Sequence, residues 1–491
     1  MKAILTYCIL LVFVLRVSSQ DSMFMHTQNM LDTVVTSSVV KKNPWRAIGS
    51  EVGLNMAMRG FNRFILNDEY AQINLSSMGE NLSTLPVWDT NSFSTNLIAH
   101  PYHGSMYFNS ARTNGYGFYS SIPFNVGGSL MWEYLMETKP PSMNDLIATT
   151  VGGIALGEIT FRFSDLILDD RTIGIERVIR EFTAGLFAPT KLINRLLTGD
   201  AWRIKSEKGN IIETLPFVLS VGSGGKMIKE DNRPGYNTGV GIETHVQYGN
   251  VFEEPIHKPY DWFWINGHIN IVEGNIYLTQ INGIGAIINK KLYEKDNLKI
   301  MGGVFQHFDY YNYKMETKSG QIITPYYISE AAAMGIGLLI NKKKENVNLR
   351  TRMFINGIGL GASISDYFEI DDRDYNMGSG MSLKLYTYLI IKNKFSVSFL
   401  SENYFIYTWK GVDEKLSLKD LTIPEIDFLN VQGDRSTAKL RIFGAEFKYR
   451  INDLLYVKLN NRFFTRDTSY KYFPRVFYRS QENYLSVGVT V

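Results

Sequence analysis

The chain contains 491 residues, with 51 Lys and Arg against 48 Asp and Glu, a formal net charge of +3. This near-neutral balance argues against a nucleic-acid-binding protein, because phosphate recognition needs a basic surface. A disordered chain is excluded, since 45% of the residues are apolar and 13% are aromatic. A high content of aromatic residues and glycine at a mean hydropathy of only -0.12 is typical of an outer-membrane β-barrel.

Residues 1–19 have the pattern of a secretory signal peptide. Lys2 precedes an apolar run over Ala3–Leu15, and Val17-Ser18-Ser19 offers the small residues that a signal peptidase recognises. We therefore expect an exported protein that is cleaved after Ser19. Cleavage would remove Cys8, the only cysteine, so the mature protein would have no disulfide and no cysteine-bound metal.

Residues 43–200 show the apolar period of a helical domain. Ser142 offers a capping hydroxyl shortly before Asp145, which predicts a helix start. Leu146–Leu156 is apolar on nearly all sides, which predicts a buried helix. Arg and Glu on the flanking helices favour a bundle with a solvated exterior. The predicted helices are Ser50–Leu66, Asn96–Arg112, Pro123–Glu137, Ser142–Asp165 and Ile175–Leu197.

Residues 211–491 change to a period of two, in which Val240 and Ile242 alternate with charged residues such as Glu243. We predict twelve strands, the first near 214–223 and followed by an outer loop at 222–237. Most connections at one end of the predicted barrel are tight turns, and most at the other end are long loops, which is the asymmetry of an outer-membrane barrel. A soluble β-sandwich with its charges outside is the alternative.

The predicted fold class is therefore α+β: an N-terminal α-helical domain followed by an antiparallel transmembrane β-barrel of about twelve strands. The helical domain is expected to form a periplasmic cap or plug. Outer-membrane barrels usually end on an aromatic residue, and Val491 departs from that pattern. The charged residues expected to face the barrel lumen are Glu243, His245, His268, Arg350, Arg352, Glu446, Lys448, Lys458 and Arg462.

The densest polar pattern lies in the helical domain. It consists of His-Pro-Tyr-His-Gly-Ser at 100–105, Trp-Glu at 132–133, Pro-Ser-x-Asn-Asp at 141–145 and Gly-Gly-x-x-Leu-Gly-Glu at 152–158. Over about residues 43–170 the chain resembles an uncharacterised domain family of Gram-negative envelope proteins, for which no activity carries over. A weaker similarity to VanZ-like membrane proteins rests on Glu133, Asp145, Thr149 and Gly152, and it implies a lipid-like substrate.

We predict that His100, His103, Glu133 and Asp145 converge, because four ionisable groups buried singly in an apolar bundle would be costly. Three interpretations stay open for these catalytic candidates. The first is a metal site that contains both histidines, and the second is a nucleophilic site at Ser105 or Ser142. The third, which is favoured, is a structural ion-pair network of Glu133 and Asp145 with Glu158 and Arg162.

No cofactor is predicted, and the metal content is left open. The first functional hypothesis is an outer-membrane β-barrel protein with a helical cap or plug and a role in envelope transport or assembly. The alternative is an envelope-lipid-modifying enzyme that uses the His/Glu/Asp cluster, and a sensor of a soluble ligand or metal is least supported. The expected partners are outer-membrane lipid, the barrel assembly machinery and a lipid-like ligand, with no nucleic acid.

Overall fold

The computed structural model describes residues 41–206, 208–209, 211–212, 215–231, 235–253, 257–316, 322–323, 326–412, 422, 425–426 and 428–491. The predicted signal peptide and Cys8 lie outside these residues. The chain forms two compact units. The helical unit contains the chain up to Asp89 together with Ala99–Leu215, and the barrel unit contains Thr90–Ile98 and Pro216–Thr490.

Eight α-helices are present among the described residues of the helical unit. The first begins earlier than predicted, where the Asn43 side chain accepts a hydrogen bond from the Arg46 amide at 3.0 Å. The predicted helix over 175–197 is two helices, because Pro189 lacks the amide hydrogen that a continuous helix requires. The helices are α1 Pro44–Phe61, α2 Leu75–Ser83, α3 His100–Thr113, α4 Phe118–Leu135, α5 Met143–Ile147, α6 Gly153–Ile167, α7 Gly174–Phe187 and α8 Pro189–Thr198.

A π-helical turn over Ala148–Gly152 joins α5 to α6, so that Met143–Ile167 is one helical segment of 25 residues. The segment is long and apolar enough to cross a membrane, but 72% of its most apolar window is buried, as expected for a core helix. Close packing depends on glycine, since a β-carbon on Gly104 of α3 would lie 1.8 Å from the carbonyl oxygen of Thr149. Gly153 packs against the same helix, because a β-carbon there would lie 2.7 Å from the Gly104 backbone.

The barrel unit is a closed antiparallel barrel of twelve strands, which confirms the predicted fold class. The first strand, β1 (Phe217–Glu230), pairs with the last strand, β14 (Val476–Thr490), with Ser220 opposite Thr490, and this pairing closes the sheet. β1 extends to Glu230, so the predicted outer loop at 222–237 is wrong; the chain there continues its ladder with both neighbouring strands. The barrel strands are β1 Phe217–Glu230, β2 Asn237–Tyr248, β3 Phe263–Val272, β4 Asn275–Lys295, β5 Leu298–Asn312, β8 Tyr327–Lys344, β9 Val347–Ile364, β10 Tyr375–Ile391, β11 Phe395–Tyr407, β12 Ser436–Arg450, β13 Leu455–Tyr470 and β14 Val476–Thr490, while β6 Met315–Glu316 and β7 Ile322–Ile323 form a separate hairpin between β5 and β8.

Polar side chains bond across the barrel interior, between strands that are not neighbours. Arg352 of β9 donates to Gln247 of β2, and Arg462 of β13 donates to Gln280 of β4, both at 2.8 Å. Such bonds require inward-facing side chains. Large apolar side chains are exposed on the barrel strands, among them Ile336, Ile355, Phe399, Phe443, Leu485 and Val487. This inside-polar, outside-apolar pattern is that of a barrel surrounded by lipid.

Thr90–Ile98 interrupts the helical sequence and packs within the barrel unit. The Phe93 ring stacks on Tyr327 with the ring centroids 3.8 Å apart, and it meets the Tyr375 ring edge-on at 5.2 Å. The Asn96 side-chain amide donates to the Tyr375 hydroxyl at 2.8 Å. An aromatic cluster therefore secures this segment.

Candidate functional site

Two histidines and a glutamate of the candidate site lie on α3 and α4. His100 opens α3 and is followed by Pro101, whose fixed φ and missing donor suit the first turn of a helix. His103 lies one turn later on α3, and Glu133 lies near the end of α4. The Pro-Pro break after α4 returns the chain towards Glu133, where the Ser142 amide donates to Glu133 Oε2 at 2.8 Å.

The third element of the site begins at Ser142. Its hydroxyl accepts a hydrogen bond from the Asp145 amide at 3.2 Å, as predicted for a helix cap. A single parallel bridge pairs Ser142 with Val87 and brings the chain around Asp89 to the site. Asn144 then donates at 2.9 Å both to Asp89 Oδ1 and to Asp145 Oδ1.

Three of the four predicted site residues come together. His100 Nε2 lies 3.3 Å from Asp145 Oδ2. His100, Glu133 and Asp145 each offer one potential metal-ligand atom, and these three atoms lie within 4.8 Å of one another. Both carboxyl groups are buried, with Glu133 2% and Asp145 3% exposed. The fold therefore brings together one imidazole and two carboxyl groups of the four predicted site residues.

His103 is near this group but has different surroundings. Its ring lies 4.6 Å from that of Tyr107 and meets the indole of Trp132 edge-on at 5.0 Å. Its Nε2 is buried without a hydrogen-bond partner among the described residues. Burial, followed by the charge of His100, lowers the pKa of His103 to about 3. His103 is therefore a neutral ring at the wall of the site.

Among the described residues, the one basic partner of the site's acids is His100, which lies against Asp145. In the part of the chain that the structure describes, no lysine or arginine forms an ion pair with Glu133 or Asp145. Burial, followed by repulsion from Glu137, raises the pKa of Glu133 well above its ordinary value. Burial, followed by repulsion from Asp89 and Glu133, does the same to the pKa of Asp145. Without a bound cation, both carboxyl groups therefore favour the protonated form.

Two further carboxyl groups belong to this environment. Burial raises the pKa of Glu137 to about 7, and the Trp132 indole donates a hydrogen bond to its carboxylate. Asp89 exchanges two hydrogen bonds with Asn144, since the Asp89 amide also donates to the Asn144 side-chain oxygen at 3.1 Å. Asp89 could not be predicted as a site residue from the sequence, because only the bridge between Val87 and Ser142 brings it close.

The predicted four-residue ion-pair network is wrong, because its members divide into two separate groups. Glu158 pairs with Arg162, as the spacing of four residues predicts, with Oε1 2.8 Å from Arg162 Nε. Its second partner is Arg112, whose Nε lies 2.8 Å from Glu158 Oε2. Neither arginine pairs with Glu133 or Asp145 among the described contacts. Glu158 is therefore paired with two arginines in a structural network, whereas the other acids form the candidate site.

Neither serine of the nucleophile hypothesis is placed as a nucleophile. Ser105 is fully buried, and its hydroxyl donates to the Tyr102 carbonyl at 2.6 Å. The Ser142 hydroxyl is the cap of α5 described above. Both hydroxyl groups therefore stabilise helices.

One domain family matches part of the chain. Residues 85–190 match a family described as a domain of unknown function, DUF3943. This range contains every residue of the candidate site, from Asp89 to Asp145. No curated protein matches the chain in sequence.

Several outer-membrane channels are similar to the chain in structure. The NanC porin has 10% sequence identity and a TM-score of 0.26, over 55% of this chain and 98% of the porin. The outer-membrane channel DcaP of Acinetobacter baumannii has 8% identity and a TM-score of 0.23, over 56% and 97%. The Pseudomonas putida toluene transporter TodX has 10% identity and a TM-score of 0.22, over 57% and 89%. Scores this low carry no functional argument, and the barrel is established by its own strand pairing.

Proposed function

We propose that the helical unit binds a divalent metal ion at His100, Glu133 and Asp145 and hydrolyses an envelope lipid there. The observation that supports this most is the convergence of one imidazole nitrogen and two carboxylate oxygens within 4.8 Å. One histidine and two acids form the kind of nitrogen and oxygen ligand set that catalytic zinc sites use, with a further coordination position left for water or substrate. The absence of a lysine or arginine partner for the two acids, among the described residues, supports a cation at the same place.

The neighbouring residues would hold the ligands in position. The Ser142 amide fixes Oε2 of Glu133, and the Asn144 side chain fixes Oδ1 of Asp145, whose Oδ2 faces His100 Nε2 at 3.3 Å. A bound divalent ion would supply a water of lowered pKa for hydrolysis. Asp89, which the Asn144 amide also holds, is the acid that we assign as proton acceptor.

A lipid is the proposed substrate class for two reasons. The chain carries a barrel whose exterior is apolar, so it belongs at a membrane. In addition, Glu133, Asp145, Thr149 and Gly152 occupy the positions that resemble VanZ-like proteins, and this resemblance implies a lipid-like ligand. His100, with a side chain that is 12% exposed, is the least buried of the three ligands and marks the side from which substrate would enter.

Metal content is the direct test. The full-length protein is loaded with Zn²⁺ in detergent, freed of excess metal and measured by mass spectrometry. We expect one ion per wild-type chain and its loss in Glu133→Gln and Asp145→Asn. Glu176→Gln removes an acid whose side chain is 50% exposed on the same unit, and it should retain the ion. Equal metal content in all four proteins, or none in the wild type, would reject the centre.

The lipid assignment has its own test. The lipid profile of a deletion strain is compared with that of strains that express the wild-type chain or Glu133→Gln. We expect an altered phospholipid or lipid A pattern that only the wild-type chain restores. Full restoration by Glu133→Gln would show that the acid is not needed for any lipid reaction.

We further propose that the barrel spans the outer membrane of a Gram-negative cell, after export by residues 1–19 and insertion by the barrel assembly machinery. The closed barrel with a polar interior and apolar exterior supports this location. We expect the protein in the outer-membrane fraction, with a gel mobility that changes on heating. Recovery from the soluble periplasmic fraction would contradict the proposal.

The second candidate function is transport or assembly, with the helical unit as a periplasmic cap or plug. The charged barrel interior favours it, because polar lumens suit polar solutes. The interior is filled at one level, where Lys384 lies 2.5 Å from Asp309 and 2.8 Å from Glu330 and all three are almost fully buried. We therefore expect no steady conductance from the wild type in planar bilayers and openings in Lys384→Ala. Silence of both proteins would count against a pore.

A further inference from the structure

Helices α7 and α8 have the reverse of the polarity that a soluble bundle shows, since most of their Arg and Glu side chains, expected on the outside, are buried. Their buried residues include Arg177, Arg180, Glu181, Lys191 and Arg195. Their exposed residues include a run of apolar side chains at helical spacing, Ile175, Val178, Phe182 and Leu186 on α7 and Ile193, Leu196 and Leu197 on α8. A helix at a water-facing surface places its charges outward and its apolar stripe inward.

Apart from Arg180, which pairs at 2.9 Å with the half-exposed Glu176, the buried charges named above have ion-pair partners inside the unit. Arg177 lies 3.0 Å from both Asp170 and Glu181. Arg195 lies 2.6 Å from Asp170 and 2.7 Å from Glu181. Lys191 pairs separately with Asp165 at 2.6 Å. Because these charges have internal partners, the two helices do not depend on water at their outer surface.

Helix α1 adds a third exposed stripe beside the other two. The Ser50 hydroxyl bonds to the Asn194 side-chain oxygen at 3.1 Å, which joins α1 to α8. The outer side of α1 exposes Trp45, Ile48, Val52 and Met56 at the same helical spacing. We call the exposed apolar side chains of the three helices the apolar face: Trp45, Ile48, Val52, Met56, Ile175, Val178, Phe182, Leu186, Ile193, Leu196 and Leu197. A contiguous set of this size exceeds the singly scattered apolar residues of soluble surfaces.

We infer that the apolar face is in contact with the hydrocarbon of a lipid bilayer. The exposed fractions support lipid as the occupant, since Leu197 at 80% and Ile175 at 75% are as open as the outward residues of the barrel, such as Ile336 at 64%. The strand exterior and the helix exterior therefore present the same apolar chemistry to their surroundings. The inference is independent of the proposed metal centre.

The end of α8 has the composition of a membrane interface. Trp202 is 66% exposed and is followed by Arg203, whose side chain is 62% exposed. Tryptophan and arginine occur together where a protein surface passes from hydrocarbon to lipid headgroups. An amphipathic helix that lies in the plane of a membrane has this arrangement of an apolar side and a charged border.

Spin labelling of the full-length chain tests the inference. Single cysteines replace Val178 and Leu197 on the apolar face, and Gln72, an exposed polar residue of the same unit, is the matched control. All three are made with Cys8→Ser, and each nitroxide-labelled protein is reconstituted in phosphatidylcholine vesicles. Collision rates with oxygen, which concentrates in lipid, and with a water-soluble nickel chelate are then compared.

We expect the labels at 178 and 197 to collide several-fold more with oxygen than with the nickel chelate, and the label at 72 to show the opposite ratio. A water-like ratio at 178 and 197 would overturn the inference. Low collision rates with both reagents would overturn it too, because they would place another part of the chain or a second copy on the face. Should a labelled variant not fold, the unmodified chain is crosslinked to a photoreactive lipid instead. Lipid adducts on peptides from α7 and α8 would support the inference, and their absence would overturn it.

Discussion

Two groups of buried acids in the helical unit differ in how their charge is balanced. Glu158 lies between Arg112 and Arg162, and both ion pairs have N–O distances of 2.8 Å. Glu133 and Asp145, in contrast, meet one weakly basic partner, His100, within the described chain. Burial costs both groups solvation, but only the first recovers it from fixed cations.

The difference separates structure from function. An acid that is paired with arginine has its counter-ions within the protein and does not need a bound metal ion. A group of acids whose one basic partner is a histidine is stable either with bound protons or with a bound cation, so its charge is available to a ligand. The acids of the barrel interior resemble the first group, since Asp309 and Glu330 both pair with Lys384. Removing one acid from each group should therefore have opposite consequences.

The largest expected effect is that of Glu158→Gln. The substitution leaves two buried guanidinium groups without their carboxylate, and breaking a buried ion pair costs about 3–5 kcal/mol. We expect the free energy of unfolding, followed by the helical circular dichroism signal in detergent, to fall by that amount. Glu80→Gln is the control, with a change below about 1 kcal/mol because Glu80 is exposed on α2, where its side chain accepts a hydrogen bond from the exposed Ser76 hydroxyl. A small loss for Glu158→Gln would show that the network is not structural.

The next effect concerns Glu51, a buried acid of α1 outside both groups. Burial raises its pKa from the ordinary 4.5 to about 8. The folded protein therefore keeps the proton up to pH about 8, whereas the unfolded chain releases it above pH about 4.5. Stability from this residue is complete below pH 4.5 and falls as the pH rises to 8, by at most about 1.4 kcal/mol per pH unit.

Glu51→Gln should remove this dependence. We expect its thermal midpoint to exceed that of the wild type at pH 8 and to equal it at pH 4.5. An identical difference at both pH values would show that the carboxyl group is not titrating in this window.

The strands were the most predictable part of the molecule. A period of two specifies which residues face each side, and the tight turns specify where each strand ends, so twelve strands follow from local pattern alone. The first outer loop was the exception. Its glycines suggested a loop, but Gly224 and Gly225 lie in the β1 ladder, opposite Ser486 and Leu485 of β14. Pairing with a strand more than 250 residues away is not visible in local sequence.

The residue types that form the site could be predicted from the sequence, but not every residue that belongs to it. His100, Glu133 and Asp145 follow from the density of ionisable residues in an apolar region. Asp89 does not, because a single bridge between Val87 and Ser142 brings it near. The exposed apolar side of α7 was missed for a different reason. Periodicity shows that a helix is amphipathic, but it does not show which side faces the interior.

A smaller effect is expected at the boundary of the site. His103→Leu removes a buried nitrogen that has no partner among the described residues, and it keeps an apolar side chain against Trp132. Replacing an unsatisfied polar group with an apolar one is nearly neutral or stabilising. We expect a free energy of unfolding within about 1 kcal/mol of the wild type and unchanged zinc content. Loss of the ion in His103→Leu would show that this histidine is a ligand and that the site is larger than three residues.

The smallest expected change in stability is that of Glu133→Gln in the presence of a chelator. Glutamine keeps an oxygen that can accept the Ser142 amide, and it removes a carboxyl group that has no lysine or arginine partner in the described structure. Functional acids are often held at a cost to stability, so the thermal midpoint should stay the same or rise slightly. Glu158→Gln, measured in parallel, should fall clearly.

Zinc makes the contrast decisive. A ligand that binds only the folded state at 100 times its Kd adds about 2.7 kcal/mol to stability. Saturating zinc should therefore raise the thermal midpoint of the wild type and of Glu176→Gln, and it should leave that of Glu133→Gln unchanged. If Glu133→Gln instead lost about 3–5 kcal/mol in the chelator, its carboxylate would belong to a structural ion-pair network like that of Glu158. The distinction between acids that are paired with arginine and acids that lack such a partner would then fail for Glu133.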